Sequence, residues 1–184
     1  MWKRSYTAYF LVLSSICYMS CQNSLKDVKN ATEQITGGSV EVSTGVEIIY
    51  SDSAVVKAKI ITPELTHVKN ENPYYEMKKG LRAIFYNIHQ QETSNIVADY
   101  GIQKEGQNII ELKNNVVVTN RDGKVFKSDE LIWDSNKHQF YSNKLVSIIT
   151  PTQTIHGTKF LSDESFSYYE IHQSTGNFDV SVKQ

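Results

Sequence analysis

Asn115-Val-Val-Val-Thr-Asn-Arg-Asp-Gly-Lys-Val-Phe-Lys-Ser-Asp-Glu-Leu-Ile-Trp-Asp134 decides the fold. Two extended segments are parted by the turn Arg121-Asp122-Gly123, and each places apolar residues at alternate positions: Val116 and Val118, then Leu131 and Trp133. Alternation with a period of two marks a strand with one buried face. The pattern continues outward through Ser135-Asn136-Lys137 to Val146 and Ile148, and on past Pro151 to Thr154-Ile155-His156-Gly157 and Ile171. Turn signals recur roughly every 8 to 12 residues, the spacing of an antiparallel all-β stack. No helix of ordinary length fits between them.

The front half carries the same pattern. Extended segments begin near Val46 to Tyr50, and Val56, Ala58 and Ile60 alternate with Lys57 and Lys59 until Pro63. Asn70 to Lys79 is polar, contains Pro73 and reads as a loop. Leu81, Ala83 and Phe85 form an inward set opposed by Arg82, followed by Ile96, Ala98 and Tyr100, then Ile110 and Leu112. The expected architecture is therefore all-β: an elongated twisted β-jelly roll of about ten or more short antiparallel strands, joined as hairpins in simple succession. Large apolar residues at the inward positions, with no second element to cover them, require the sheet to fold onto itself. Its interior is then either a long apolar trough suited to acyl chains or a solid sandwich core, and both fit the pattern. The inward candidates are Val116, Val118, Phe126, Leu131, Trp133, Val146, Ile148, Ile155, Phe160 and Phe166. A slip of one residue in any strand exchanges the two faces.

The amino terminus is a different kind of sequence. Lys3 and Arg4 precede an apolar run from about Tyr6 to Met19, too short for a bilayer core that needs about 20 residues but suited to an export signal. Tyr18-Met19-Ser20-Cys21 resembles a lipobox, at which the signal is cut and Cys21 acylated; Cys17, preceded by Ile16, fits less well. An ordinary signal peptide or an uncleaved anchor helix is the alternative. Cleavage before Cys21 leaves one cysteine at the first position of the mature chain, so there is no disulfide framework to account for it. Gln22 to about Gly45 is rich in Ser, Thr, Asn, Lys and Gly and reads as a tether. The expected organisation is a signal peptide over 1–20, a tether over 21–45 and a β domain over 46–184.

Composition and motifs narrow the function. The formal net charge of −1 gives no basic face for nucleic acid. The histidines His67, His89, His138, His156 and His172 are scattered without metal spacing, and no nucleophile elbow or phosphate-binding glycine loop occurs. Asp122, Asp129 and Asp134 sit in turns, where bonding to local backbone is their usual reason. No enzyme, cofactor or metal is expected.

The stretch from Asn115 to Asp134 resembles the repeat of the OstA-like proteins of lipopolysaccharide export. Tyr50-Ser-Asp-Ser, Gly80-Leu-Arg-Ala-Ile-Phe-Tyr-Asn and Ala98-Asp-Tyr-Gly continue the likeness upstream, and Ile155-His-Gly-Thr-Lys-Phe-Leu-Ser-Asp-Glu-Ser-Phe continues it downstream. In their order these segments look most like the LptC family, the periplasmic component of the lipopolysaccharide-export ABC transporter, in a lipoprotein form seen in Bacteroidetes-like sequences. The resemblance implies a groove for the lipid A acyl chains, lined by the inward candidates above. It also implies membrane attachment beside the inner-membrane ABC transporter subunits, here through Cys21 in place of a transmembrane helix. Its third implication is edge-to-edge stacking with a periplasmic β-jelly-roll bridge protein that receives the lipopolysaccharide. The strand near Asn177 to Val182 is a candidate donor edge. A lipid or lipoprotein carrier of another kind, or a structural β lipoprotein, is the alternative.

Overall fold

A computed structural model describes residues 39–178; the expected signal peptide, Cys21 and the last residues of the candidate donor edge lie outside them. The described chain holds twelve strands: β1 (Ser39–Asp52), β2 (Val55–Lys69), β3 (Tyr74–Met77), β4 (Leu81–Tyr86), β5 (Glu92–Ala98), β6 (Tyr100–Lys104), β7 (Ile109–Asn120), β8 (Val125–Asp134), β9 (Gln139–Ser142), β10 (Val146–Ile149), β11 (Gln153–Asp163) and β12 (Tyr169–Phe178). All pairings are antiparallel and join into one sheet, as an elongated β-jelly roll requires.

The topology simplifies once the breaks are placed. The first half of β2, Ala58–Ile61, pairs with β4, and its second half, Thr66–Val68, pairs with β3. Thus β3 and β4 are two halves of one bent ribbon running antiparallel to β2. The same holds for β5 and β6, which pair with the two halves of β7, and for β9 and β10, which pair with the two halves of β8. Counted this way, the twelve strands trace nine bent ribbons in antiparallel succession, the hairpin-connected order expected from the sequence.

The pairing switches midway along the ribbons, and on five of the nine the bends are marked in the backbone. Backbone in the left-handed region marks them at Gly45, Gly80, Asn114, Asn115, Lys159 and Gln173. Bulges and left-handed residues are how a strand turns from one sheet face to another. Pro63 lies in β2 opposite Gly45, between the segments that pair with β4 and β3, so the lost donor breaks no ladder on that side. The bend divides the sheet into two leaves that face each other. Phe85 of one leaf packs edge-on against Trp133 and Phe140 of the other, at centroid distances of 4.9 and 5.1 Å.

Two expectations are corrected. Ser39–Thr44 is not tether: the compact unit begins at Gly38, and β1 pairs along β2 from Ser39 rather than from near Val46. Val40 and Val42 alternate with polar residues, but both point to solvent, so no buried face distinguishes this half-strand from a linker. Tyr74–Met77 is strand, not loop, because Pro73 opens the segment rather than interrupting it.

Candidate lipid-facing interior

Register builds the interior row by row, since directly paired residues share a face. In the first leaf one row runs Ile48–Ile60–Ala83–Ile96–Val118–Phe126–Ile148–Ile155, one residue from each ribbon between β1 and β11, and ends opposite Gly176 in β12. No polar side chain interrupts it. Val146 lies in the next row, opposite Gly157 and Ser128, and Val116 is on the other side of Ser128. In the second leaf Leu131 faces Leu112, and Trp133 stands between Ile110 and Phe140.

Nine of the ten candidates from the sequence are thereby buried in a single apolar cluster; Ile155 alone is half-buried. It has the correct face, but it lies on β11 next to the edge strand, where Gly176 offers no side chain to cover it. Ile48, at the other edge, is half-buried for the same reason. The apolar row therefore starts on the edge strand β1 and stops at β11, one strand short of β12.

The interior is filled. Phe126 and Phe160 pack at 4.4 Å between centroids, and Phe140 and Phe166 at 4.9 Å. Between Phe126, Ile148, Phe160, Phe166 and Tyr169 a cleft of only about 10 Å³ remains, about the room one water needs and far less than an acyl chain. Lys124 stands beside it, its ammonium 5.7 Å from the Tyr169 ring centre.

Away from the bend, the tips of the two leaves face each other across a slot. On one side a polar pocket of about 370 Å³ opens between Tyr50 and Lys57 of the first leaf and Asn108, Trp133, His138 and Glu164 of the second. Tyr50 crosses this gap: its hydroxyl donates to Gln103 Oε1 at 2.7 Å and its ring meets Trp133 edge-on at 5.1 Å. Burial pushes its phenol up from the ordinary value, because the phenolate would lose its hydration. Asp134, at the tip beside Trp133, is held below the usual aspartate range by Lys137, whose ammonium lies 3.0 Å away.

The loop Asp163–Tyr168, between β11 and β12, spans the slot. Ser94 Oγ of the first leaf donates to the Glu164 carbonyl at 2.8 Å, and Asn120 Nδ2 donates to the Phe166 carbonyl at 3.2 Å. From the second leaf, Trp133 Nε1 donates to Glu164 Oε1 at 2.9 Å, with His138 Nδ1 3.4 Å from the same carboxylate. Phe166 is thus inside, as the sequence suggested, but from a loop rather than a strand. It holds a positive φ of 54°, which for an aromatic residue costs about 1–3 kcal/mol. Sequence reasoning missed the residues that tie this loop: Ser94, Asn120 and Glu164 are polar residues of ordinary strand-end type, and only the fold brings them together.

The described residues thus define an edge-open β-jelly roll with an uninterrupted apolar row on its inner face from β1 to β11. The chain belongs to the LptC-related family of lipopolysaccharide assembly, whose model matches residues 9–173. No curated protein matches it. Membership gives the chain a role in lipopolysaccharide transport, in association with lipopolysaccharide and its transporter complex, as a periplasmic, inner-membrane-associated component of the cell envelope. The family is one of transport, not of enzymes.

Proposed function

We propose that this chain binds the acyl chains of lipopolysaccharide between its two leaves and passes the lipid from the inner-membrane ABC transporter subunits to the next periplasmic β-jelly-roll protein. The observation that carries this reading is the apolar row from Ile48 on the edge strand β1 to Ile155 on β11, one strand short of β12. A jelly roll added at the β1 edge prolongs it, because an edge strand offers unpaired backbone groups to a new strand. Burial of acyl surface supplies the affinity, at about 25 cal/mol per Å², and no residue of this chain acts chemically. Lys124, beside the apolar cleft, is placed to meet a phosphate of the headgroup.

A photo-crosslinking residue at Leu131 or Ile148 should capture lipopolysaccharide, and one at the outward Lys127 or Ser147 should not. The filled interior favours a second reading, a structural bridging module that never takes up lipid. Equal labelling at inward and outward sites supports that alternative and removes the acyl-binding one. Attachment through Cys21 belongs to the same proposal: Cys21→Ala should abolish incorporation of a fatty-acid analogue and release the protein from the membrane. Undiminished label on the alanine variant excludes acylation at this position.

A further inference from the structure

We propose that the Asp163–Tyr168 loop is a built-in plug, and that Phe166 occupies in the lipid-free protein the place an acyl chain takes in the loaded one. The inference rests on the acyl-binding reading above and adds how the interior opens. Three observations carry it. Phe166 packs on the aromatic rings that would line a channel, 4.9 Å from Phe140 and 5.9 Å from both Phe126 and Phe160. It is the one member of the inward set that does not come from a strand, so it can leave without breaking a ladder. Its backbone is held in an unfavourable conformation by its surroundings.

The ties that keep the loop in place are few and lie at the slot. Ser94 and Asn120 reach it from one leaf, and Trp133 and His138 reach it from the other. Glu164 accepts from the second leaf with its carboxylate and from the first with its carbonyl, beside the polar pocket and within reach of water. Ser94, Asn120 and Trp133 are buried, so each of their donors is costly to leave unmet unless water follows the loop out to meet it, and this holds the loop closed in the lipid-free protein. What remains is the apolar surface of Phe166 leaving the core, and an acyl chain entering the same volume replaces that burial. Removing the plug in advance abolishes the competition, and the apparent affinity then rises by the reciprocal of the open fraction.

The test uses the purified full chain and a fluorescent medium-chain fatty acid, with Phe166→Ala to empty the site and Glu164→Ala to loosen the loop while leaving the core packed. Phe166→Ala should bind the probe roughly ten- to thousandfold tighter, the range for a competent state that is about 0.1–10% populated. Glu164→Ala should associate several-fold faster. In the unaltered protein, saturating probe should speed hydrogen exchange at the Phe166 and Tyr168 amides, which are bonded within the loop to the Asp163 carbonyl and carboxylate; the amides of Val118 and Phe126 should stay protected. If Phe166→Ala does not fold, Glu164→Ala and the exchange measurement decide. Equal affinities, unchanged association and a loop that stays protected with probe bound overturn the plug and leave acyl binding standing. A folded protein that takes up the probe in none of its forms overturns both.

Discussion

Gly157 is the position where one added methyl group does most harm. It lies in β11 opposite Val146, just before the bend. A Cβ there would sit 2.7 Å from the His172 carbonyl oxygen and 2.7 Å from Ile171 Cγ1. The first of these is backbone, so β11 and β12 must separate to admit it. Gly157→Ala should therefore destabilise the fold by about 1–3 kcal/mol, the range for overpacking, read as a lowered urea midpoint; an unchanged midpoint rejects the close approach of these strands. Nothing in the sequence marks that contact, whereas the inward residues were legible because alternation is a local property. Val116, Val118, Leu131, Trp133, Val146 and Ile148 all have the face their spacing assigned. Ile155 shows the limit: period fixes which way a side chain points, but only the neighbouring strand decides whether it is covered, and here the neighbour is Gly176.

At the scale of the element, the bend is the feature that turns a meander into two facing leaves. Asn114 and Asn115 hold positive φ values of 62° and 50°. They are also pinned across the sheet: Asp99 N donates to the Asn114 carbonyl at 3.1 Å, and Asn115 Nδ2 donates to Asp99 Oδ2 at 2.5 Å. Two variants separate backbone from side chain. Asn115→Gly loses the hydrogen bond but adopts positive φ freely, and should cost about 1 kcal/mol. Asn115→Val loses the bond and places a β-branched residue in the left-handed region, and should cost about 2–4 kcal/mol. Equal costs in thermal melts would mean the bend does not depend on the left-handed backbone. On the sequence alone Asn115 runs straight into a strand, and the common position of the bends is hidden, because alignment across strands is set by register rather than by any single segment. The β1 half-strand was hidden for a related reason: Val40 and Val42 alternate, but they alternate with respect to a partner edge that the sequence does not display.

At the scale of the whole molecule, the ladder among the described residues leaves two edges, with β1 paired to β2 alone and β12 to β11 alone. An unprotected edge is a liability that proteins usually block with charge, proline or a bulge. β1 carries Glu41, Glu47 and a bulge at Tyr50/Ser51, yet it also exposes Val40 at 59% and Val42 at 58%, with Ile49 at 61% further along. These three side chains pair with Val68, Thr66 and Lys59 on the outer face, not in the interior row, and an exposed apolar flank on an edge strand fits a surface covered in use by another jelly roll. On the proposed reading, passing lipid across such a junction is a step in which this chain contributes only surface, since its sequence carries no nucleotide motif. The same proposal has forward movement depend on ATP hydrolysis by the transporter's own subunits. The double variant Val40→Lys, Val42→Lys tests the edge without touching the interior. Both sites are exposed, so stability should stay within about 0.5 kcal/mol of the parent. The two ammonium groups should oppose strand addition, so binding to the transporter complex should fall and ATP-dependent transfer of lipopolysaccharide between reconstituted vesicles should stop. Direct uptake of a fatty-acid probe should persist, because the row from Ile60 to Ile148 is intact. Transfer at the parent rate by the folded double variant would show that β1 is not the junction; loss of probe uptake together with transfer would show that the edge and the interior are one site rather than two.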